Sequence, residues 1–147
     1  MKRTNILQAQ PDTYKAMSAL ETYVSSTEIT PIHKELIKLR ASQLNGCAYC
    51  LDMHSKDARK LGETEQRIYT LSAWRETPFF DEKEQAILAL TEEVTLINKG
   101  GVSDETYNKA VEVLGDKYVG QVIMAIITIN AWNRIAIGLH FQPPLQK

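Results

Sequence analysis

Asn45-Gly46-Cys47-Ala48-Tyr49-Cys50-Leu51-Asp52-Met53-His54 holds both cysteines of a 147-residue chain and one of its three histidines. Asn45-Gly46 is a turn signal. If a helix starts directly after it, Cys47 sits in the first turn and Cys50 lies three residues later on the same face. His54 follows four residues beyond Cys50, so the three side chains form one stripe. Two thiols within disulfide reach, near a helix N-terminus and beside a base, make a chemical site.

Outward from this stretch every periodicity is helical. Downstream, the Cys helix runs from about Cys47 to Leu61, and Gly62 supplies a left-handed stop. Upstream, Thr30-Pro31 gives an N-cap followed by proline at the first helical position. Ile32, Leu36, Leu39 and Gln43 then mark one face, with Glu35 beside it, up to Asn45-Gly46. An earlier helix follows Pro11-Asp12 through Tyr14, Met17, Leu20 and Val24 and ends near Ser25-Ser26. Beyond Gly62, Thr64 caps a segment in which Ile68, Leu71 and Trp74 repeat before Pro78. Asp81-Glu82-Lys83-Glu84 has the form of a capping box. It opens a long helix through Ile87, Leu90, Val94 and Ile97 that ends at Gly100-Gly101. Ser103 caps a shorter helix that stops at Gly115. The last element, almost continuously apolar from Tyr118 to Ile129, is too short for the ~20 residues of a membrane span. A helix apolar all round is a central core helix or a subunit interface. The spacing thus predicts one all-α domain over 1–147, with about seven helices.

With 17 basic and 18 acidic residues the net charge is -1, and no basic stripe or polybasic arm stands out. Nucleic acid and membrane are therefore not expected partners. The N-terminus lacks the apolar core of a signal peptide, which points to the cytoplasm. In that compartment a C-x-x-C pair suggests redox catalysis or metal binding.

A thiol is a useful nucleophile only as its thiolate, which a helix N-terminus or a neighbouring imidazolium favours. Cys47 has the helix end and His54 can reach Cys50, so each thiol has an activator. A peroxide attacked by one thiolate leaves a sulfenic acid, which a second thiol nearby condenses into a disulfide. The alternative is metal: Cys47, Cys50 and His54 are three possible zinc ligands, with His33, His140 or Glu35 as a fourth. A third reading is two buried thiols and a helix-surface histidine with no chemistry at all. Glu35 is on the helix preceding the Cys helix, across a short turn, and an antiparallel pair would bring its carboxylate against His54. The tryptophans in Trp74-Arg75 and Asn130-Ala131-Trp132-Asn133-Arg134 are expected to pack, and Arg134 to find a carboxylate or carbonyl partner.

The run from Glu35 to His54, a Glu twelve residues before C-x-x-C-x-x-x-H, resembles the alkyl hydroperoxidase D-like (AhpD-like) branch of the carboxymuconolactone decarboxylase superfamily. Ala73-Trp74-Arg75-Glu76, Phe80-Asp81-Glu82-Lys83-Glu84 and Asn130-Ala131-Trp132-Asn133-Arg134 are similar to it as well, and the match is densest over about 33–97. The resemblance implies an all-helical fold whose catalytic pair opens a helix at a subunit contact. It also implies peroxidase and disulfide-exchange activity without haem, flavin or metal. In its terms Cys50 attacks the hydroperoxide, the more accessible Cys47 closes the disulfide and exchanges with the donor, and Glu35 with His54 forms the proton relay. The donor would be a lipoyl-protein adaptor, thioredoxin or a small thiol, and the assembly a homo-oligomer, a trimer or hexamer. One position departs: Tyr49 stands between the cysteines where the best-known peroxidases of the branch carry histidine. A phenol donates a hydrogen bond but is no base near neutral pH. A thiol–disulfide oxidoreductase or redox sensor without peroxide turnover is the alternative within this chemistry. A zinc-binding or purely structural helical protein is the alternative outside it.

Overall fold

In the computed structural model, which describes residues 3–146, those residues form eight α-helices and no strand. They are α1 (Ile6–Ala9), α2 (Pro11–Ser26), α3 (Pro31–Asn45), α4 (Ala48–Lys60), α5 (Glu65–Thr70), α6 (Glu82–Thr95), α7 (Asp104–Leu114) and α8 (Asp116–Gly138). Seven answer to the periodic segments of the sequence. The eighth, α1, is a single turn capped by the Asn5 side chain, too short to leave an apolar period.

Six of the eight open on a side chain that accepts an amide the first turn leaves unpaired: Asn5, Thr30, Cys47, Thr64, Asp81 and Ser103. At Asp81 the capping box is complete, with Asp81 accepting from the Glu84 amide and Glu84 from the Asp81 amide, each at 2.9 Å. Two stretches expected as continuous helix tighten into 3-10 turns instead. The chain leaves α5 at Thr70 for a 3-10 segment over Leu71–Glu76, in which Ala73 departs from helical dihedrals while Leu71 and Trp74 stay buried. Likewise α6 stops at Thr95, short of Ile97, because Leu96 departs from helical dihedrals and Ile97–Lys99 winds as 3-10 up to Gly100.

α3 is the hub. It lies against α4, α6 and α8, and its buried residues face in more than one direction. Ile37 and Ala41 join Val24, Ile87, Leu90, Val119, Val122 and Ile126 in the larger core, whereas Leu36 and Leu39 join Ala58, Leu71, Trp74, Phe80 and Leu88 in a second. α8 explains its own composition here: Val119, Val122, Ala125, Ile126 and Ile129 are spent inside the chain, while Ile127 and Ile137 stay exposed. Among the described residues no helix is long and apolar enough to cross a membrane.

The two halves of the core are tied by charge as well as by packing. Glu92 accepts from Arg40 Nε at 2.8 Å, Trp74 Nε1 at 2.9 Å and Arg75 Nη1 at 2.6 Å. Burial pushes its carboxyl pKa up, but the hydrogen bonds from Trp74, Arg75 and Arg40 outweigh burial and hold it below the ordinary value. The unfolded chain therefore binds the extra proton first as pH falls. The stabilisation from Glu92 is complete above its unfolded pKa of about 4.3 and is lost as pH drops through the lower folded value. Glu92→Gln is expected to cost about 2 kcal/mol at pH 7 and progressively less as the pH falls below about 4. Urea unfolding of both proteins at pH 7 and pH 3.5 checks this; an equal deficit at the two pH values refutes it.

Candidate active site

The α3–α4 corner is built by local rules. Gly46 takes left-handed dihedrals (φ 71°, ψ 36°), its amide donates to the Gln43 carbonyl, and the Cys47 amide donates to the Ser42 carbonyl at 3.0 Å. This paired closure ends α3. The same Cys47 then opens α4, its Sγ accepting the Cys50 amide at 3.3 Å. One residue thus ends one helix and starts the next, which makes the thiol pair a corner with little freedom to shift. Beneath it, Asn45 Nδ2 donates to Asn130 Oδ1 at 3.0 Å and to Asn133 Oδ1 at 2.9 Å, and the fully buried Asn133 donates to Ser42 Oγ at 3.0 Å. These bonds pin the corner to α8. Arg134 finds the carbonyl partner expected of it in Asn130, together with that residue's side-chain oxygen.

Cys47 and Cys50 are joined as a disulfide, with Cα atoms 5.3 Å apart. Both are almost wholly buried, Cys47 at 1% and Cys50 at 2% exposure, so Cys47 is not the more accessible of the two in this chain. The reason lies far along the sequence: Ala136 of α8 and Phe141 beyond it pack over the pair together with Tyr49.

The antiparallel packing of α3 on α4 brings Glu35 Oε2 to 3.1 Å from His54 Nδ1, while Glu35 Oε1 accepts from Lys38 Nζ at 3.0 Å. Glu35 and His54 are both buried. Burial raises the Glu35 carboxyl pKa, but the hydrogen bond from His54 and the charge of Lys38 prevail and hold it below the ordinary value. An ionised carboxylate only accepts, so the imidazole Nδ1 carries the proton and Nε2 is left as the basic nitrogen. Glu35, His54 and Asp57 also offer ligand atoms within 4.8 Å of one another. The Lys38 ammonium beside Glu35 already supplies positive charge there, which opposes a cation in the same place. Of the other zinc candidates, His33 is engaged with the Tyr118 hydroxyl at 2.7 Å, and His140 borders the cleft beside Cys47.

Cys50 and His54 line a cavity of about 420 Å³ whose other walls include Leu7, Tyr14, Lys38, Met53, Trp132 and Phe141. Several of these carry no signal in the sequence. Leu7 belongs to the unanticipated α1, and Phe141 follows the last helix. Trp132 is read from sequence as packing. It packs, and its indole N–H donates to Glu21 at 2.8 Å, but one face borders the cavity. Trp74 is a core residue, its ring covered by Arg75 at 4.0 Å. Met53 lies inside the Asn45–His54 stretch, and Lys38 is within reach of sequence reasoning one helical turn from Glu35.

Residues 11–93 match the model of the carboxymuconolactone decarboxylase family. The chain is 44% identical over 138 residues to the uncharacterized protein YdfG of Bacillus subtilis (strain 168), spanning 94% of each. Among solved structures it superposes with a TM-score of 0.95 and 41% identity on ATU0492 from Agrobacterium tumefaciens, covering 99% of this chain and 100% of that one. ATU0492 is a protein of unknown function for which a role as the antioxidant defence protein AhpD has been suggested. An uncharacterized peroxidase-related protein from Silicibacter sp. TM1040 shares the fold at a TM-score of 0.81 and 20% identity, over 95% of this chain and 76% of its own.

Proposed function

The chain belongs to the carboxymuconolactone decarboxylase family, in its AhpD-like branch, and on that premise we propose that it is a thiol-dependent hydroperoxide reductase cycling Cys47 and Cys50 between dithiol and disulfide. The observation that carries this reading is the disulfide-forming pair beside a Glu35–His54 hydrogen bond at 3.1 Å, at the wall of a cavity large enough for an organic hydroperoxide.

In the reduced protein His54 Nε2 takes the proton of Cys50, and Glu35 steadies the imidazolium that results. The Cys50 thiolate attacks the terminal oxygen of ROOH, the O–O bond breaks, and the departing alkoxide takes the imidazolium proton and leaves as ROH. Lys38 lines the cavity and offsets the negative charge that develops on the leaving oxygen. Cys50 is now a sulfenic acid. Cys47, as its thiolate, attacks the Cys50 sulfur, and hydroxide leaves as water with the Cys47 proton, closing the disulfide. Two equivalents of thiol, or one dithiol, reopen it. The candidate donors are a lipoyl adaptor, thioredoxin or a small thiol, no haem, flavin or metal takes part, and the work would be antioxidant defence in the cytoplasm. A homo-oligomer, a trimer or hexamer, follows from the family resemblance, and the exposed Ile127 on α8 leaves apolar surface for it.

A second reading rests on Tyr49, which supplies no base between the cysteines: a thiol–disulfide oxidoreductase or redox sensor using the same pair. The discriminating experiment is a brief pulse of cumene hydroperoxide on reduced, metal-free protein, followed by intact mass and peptide mapping. Loss of two hydrogens per chain, mapped to Cys47–Cys50, within seconds at stoichiometric oxidant is the expected result. Thiols that stay reduced under hydroperoxide yet oxidise with a disulfide reagent sink the peroxidase reading in favour of the second.

A further inference from the structure

The two cysteines border different spaces. Cys50 lines the cavity of about 420 Å³ with His54 and Met53. Cys47 borders a separate cleft of about 170 Å³, beside Ala48, Ile137 and Gln142. Three residues line both spaces, namely Tyr49, Ala136 and Phe141, so they form the wall between them.

The wall is assembled from distant parts of the chain. α8 ends at Gly138, and His140 takes a left-handed φ of 57°, turning the chain back over the corner. The Phe141 amide donates to the Ala136 carbonyl at 2.9 Å, which fixes the reversal. The Phe141 ring then meets Tyr49 edge-on, with centroids 5.7 Å apart and planes at 70°. Tyr49 thereby acquires a role that its failure as a base leaves open. It is the α4 half of a partition.

Displacement at sulfur runs in line with the bond being broken, so a nucleophile for Cys47 needs room beyond Cys47 itself. The space that borders Cys47 is the cleft, and a residue with 1% exposure offers little to a flat protein surface. We infer that the Tyr49–Ala136–Phe141 wall divides the cycle between two mouths: the oxidant reaches Cys50 through the larger apolar cavity, and a thiol donor slender enough for the cleft reaches Cys47 from the other side. This rests on the peroxidase reading and adds where each co-substrate enters and what size of donor is admitted. A donor thiol gives its proton to solvent and attacks Cys47 Sγ as RS⁻, the Cys47–Cys50 bond breaks, and Cys50 leaves as a thiolate that takes a proton back from solvent. A second donor thiolate then attacks the donor sulfur of the mixed disulfide, releasing RSSR and the Cys47 thiolate.

The test plugs each mouth separately at an exposed position, Met53→Trp for the cavity and Ala48→Trp for the cleft. Stopped-flow rates are taken for each half-reaction, using cumene hydroperoxide on reduced protein and 2-mercaptoethanol on disulfide protein. Met53→Trp is expected to slow oxidation about tenfold and leave reduction within about twofold, and Ala48→Trp to do the reverse, since exchange depends on access to the attacked sulfur. Adding Phe141→Ala to Ala48→Trp should restore reduction by joining the two spaces. Phenylalanine at either position is a smaller plug that should give the same pattern at reduced amplitude, which separates blocking from a folding defect. Equal slowing of both half-reactions by either plug, or normal thiol reduction in Ala48→Trp, overturns the partition. If the reduced protein ignores hydroperoxide, the peroxidase reading falls by itself. The thiol arm still decides the partition: slowing by Ala48→Trp alone upholds it, and slowing by Met53→Trp refutes it.

Discussion

Cys50→Ser is expected to lower hydroperoxide consumption by a factor on the order of 10³ or more, with melting temperature close to that of the reduced wild type. The side chain is nearly isosteric and fully buried, so the packing against Ala136 and Phe141 persists. What disappears is the nucleophile. A serine hydroxyl is not ionised by an imidazole in the ground state as a thiol can be, and alkoxide attack on a peroxide gives no stable product comparable to a sulfenic acid. Cys47→Ser behaves differently. Its Cys50 is intact and still beside His54, so one equivalent of hydroperoxide is consumed at near wild-type rate and the protein then stalls as the sulfenic acid. A dimedone adduct located at Cys50 by peptide mapping reads this directly. The assignment rests on position: Cys50 shares a cavity with the base and Cys47 does not. The helix end argues for Cys47 as the activated thiol, since its sulfur is the N-cap of α4 and accepts the Cys50 amide. If Cys47→Ser is inert and Cys50→Ser retains a single turnover, the helix terminus rather than His54 selects the attacking thiol, and the two roles exchange.

The caps and the glycine stops were readable because they are local. Thr30-Pro31, Asp81 with Glu84, Ser103 and Gly46 each act within one turn, and all fall where sequence places them. The Glu35–His54 contact was readable for a related reason: a two-helix hairpin across Asn45-Gly46 leaves few ways for the two faces to meet. What covers the thiols was not. Phe141 reaches Tyr49 from 92 positions away, through a reversal at His140 that no glycine announces. Cys47 is therefore buried by an event invisible in its own neighbourhood. The apolar length of α8 fits a core helix or an interface equally well, and within the chain it is a core helix whose exposed Ile127 remains for a partner. The i, i+3 spacing of Leu71 and Trp74 is common to α and 3-10 helices, so the tighter turn over Leu71–Glu76 leaves no mark in the period.

Glu35→Gln tests whether the relay is more than a buried ion pair. The amide keeps the shape of the carboxylate but can present its NH2 to His54, which then places the imidazole proton on Nε2 and removes the base from Cys50. Oxidation of the reduced protein by hydroperoxide is expected to slow by about 10²-fold at pH 7, the lower end of what a positioned acid–base group supplies. The loss should shrink as the pH is raised and Cys50 ionises without help, so the rate profile of the variant moves to higher pH. Stability follows another course. The folded pKa of Glu35 lies below its ordinary value, because the His54 hydrogen bond and Lys38 outweigh burial. The unfolded chain therefore takes the proton first, and the stabilisation is complete above about pH 4.3 and vanishes as pH falls through the folded value. A stability deficit of Glu35→Gln should therefore be flat from pH 6 to 9, the range in which its rate deficit closes. That divergence is what a purely structural role cannot produce: if Glu35 only packed α3 against α4, rate and stability would change together across the range. A variant that is destabilised yet oxidises at the wild-type rate at pH 7 would leave His54 without its positioning residue and return Glu35 to the core.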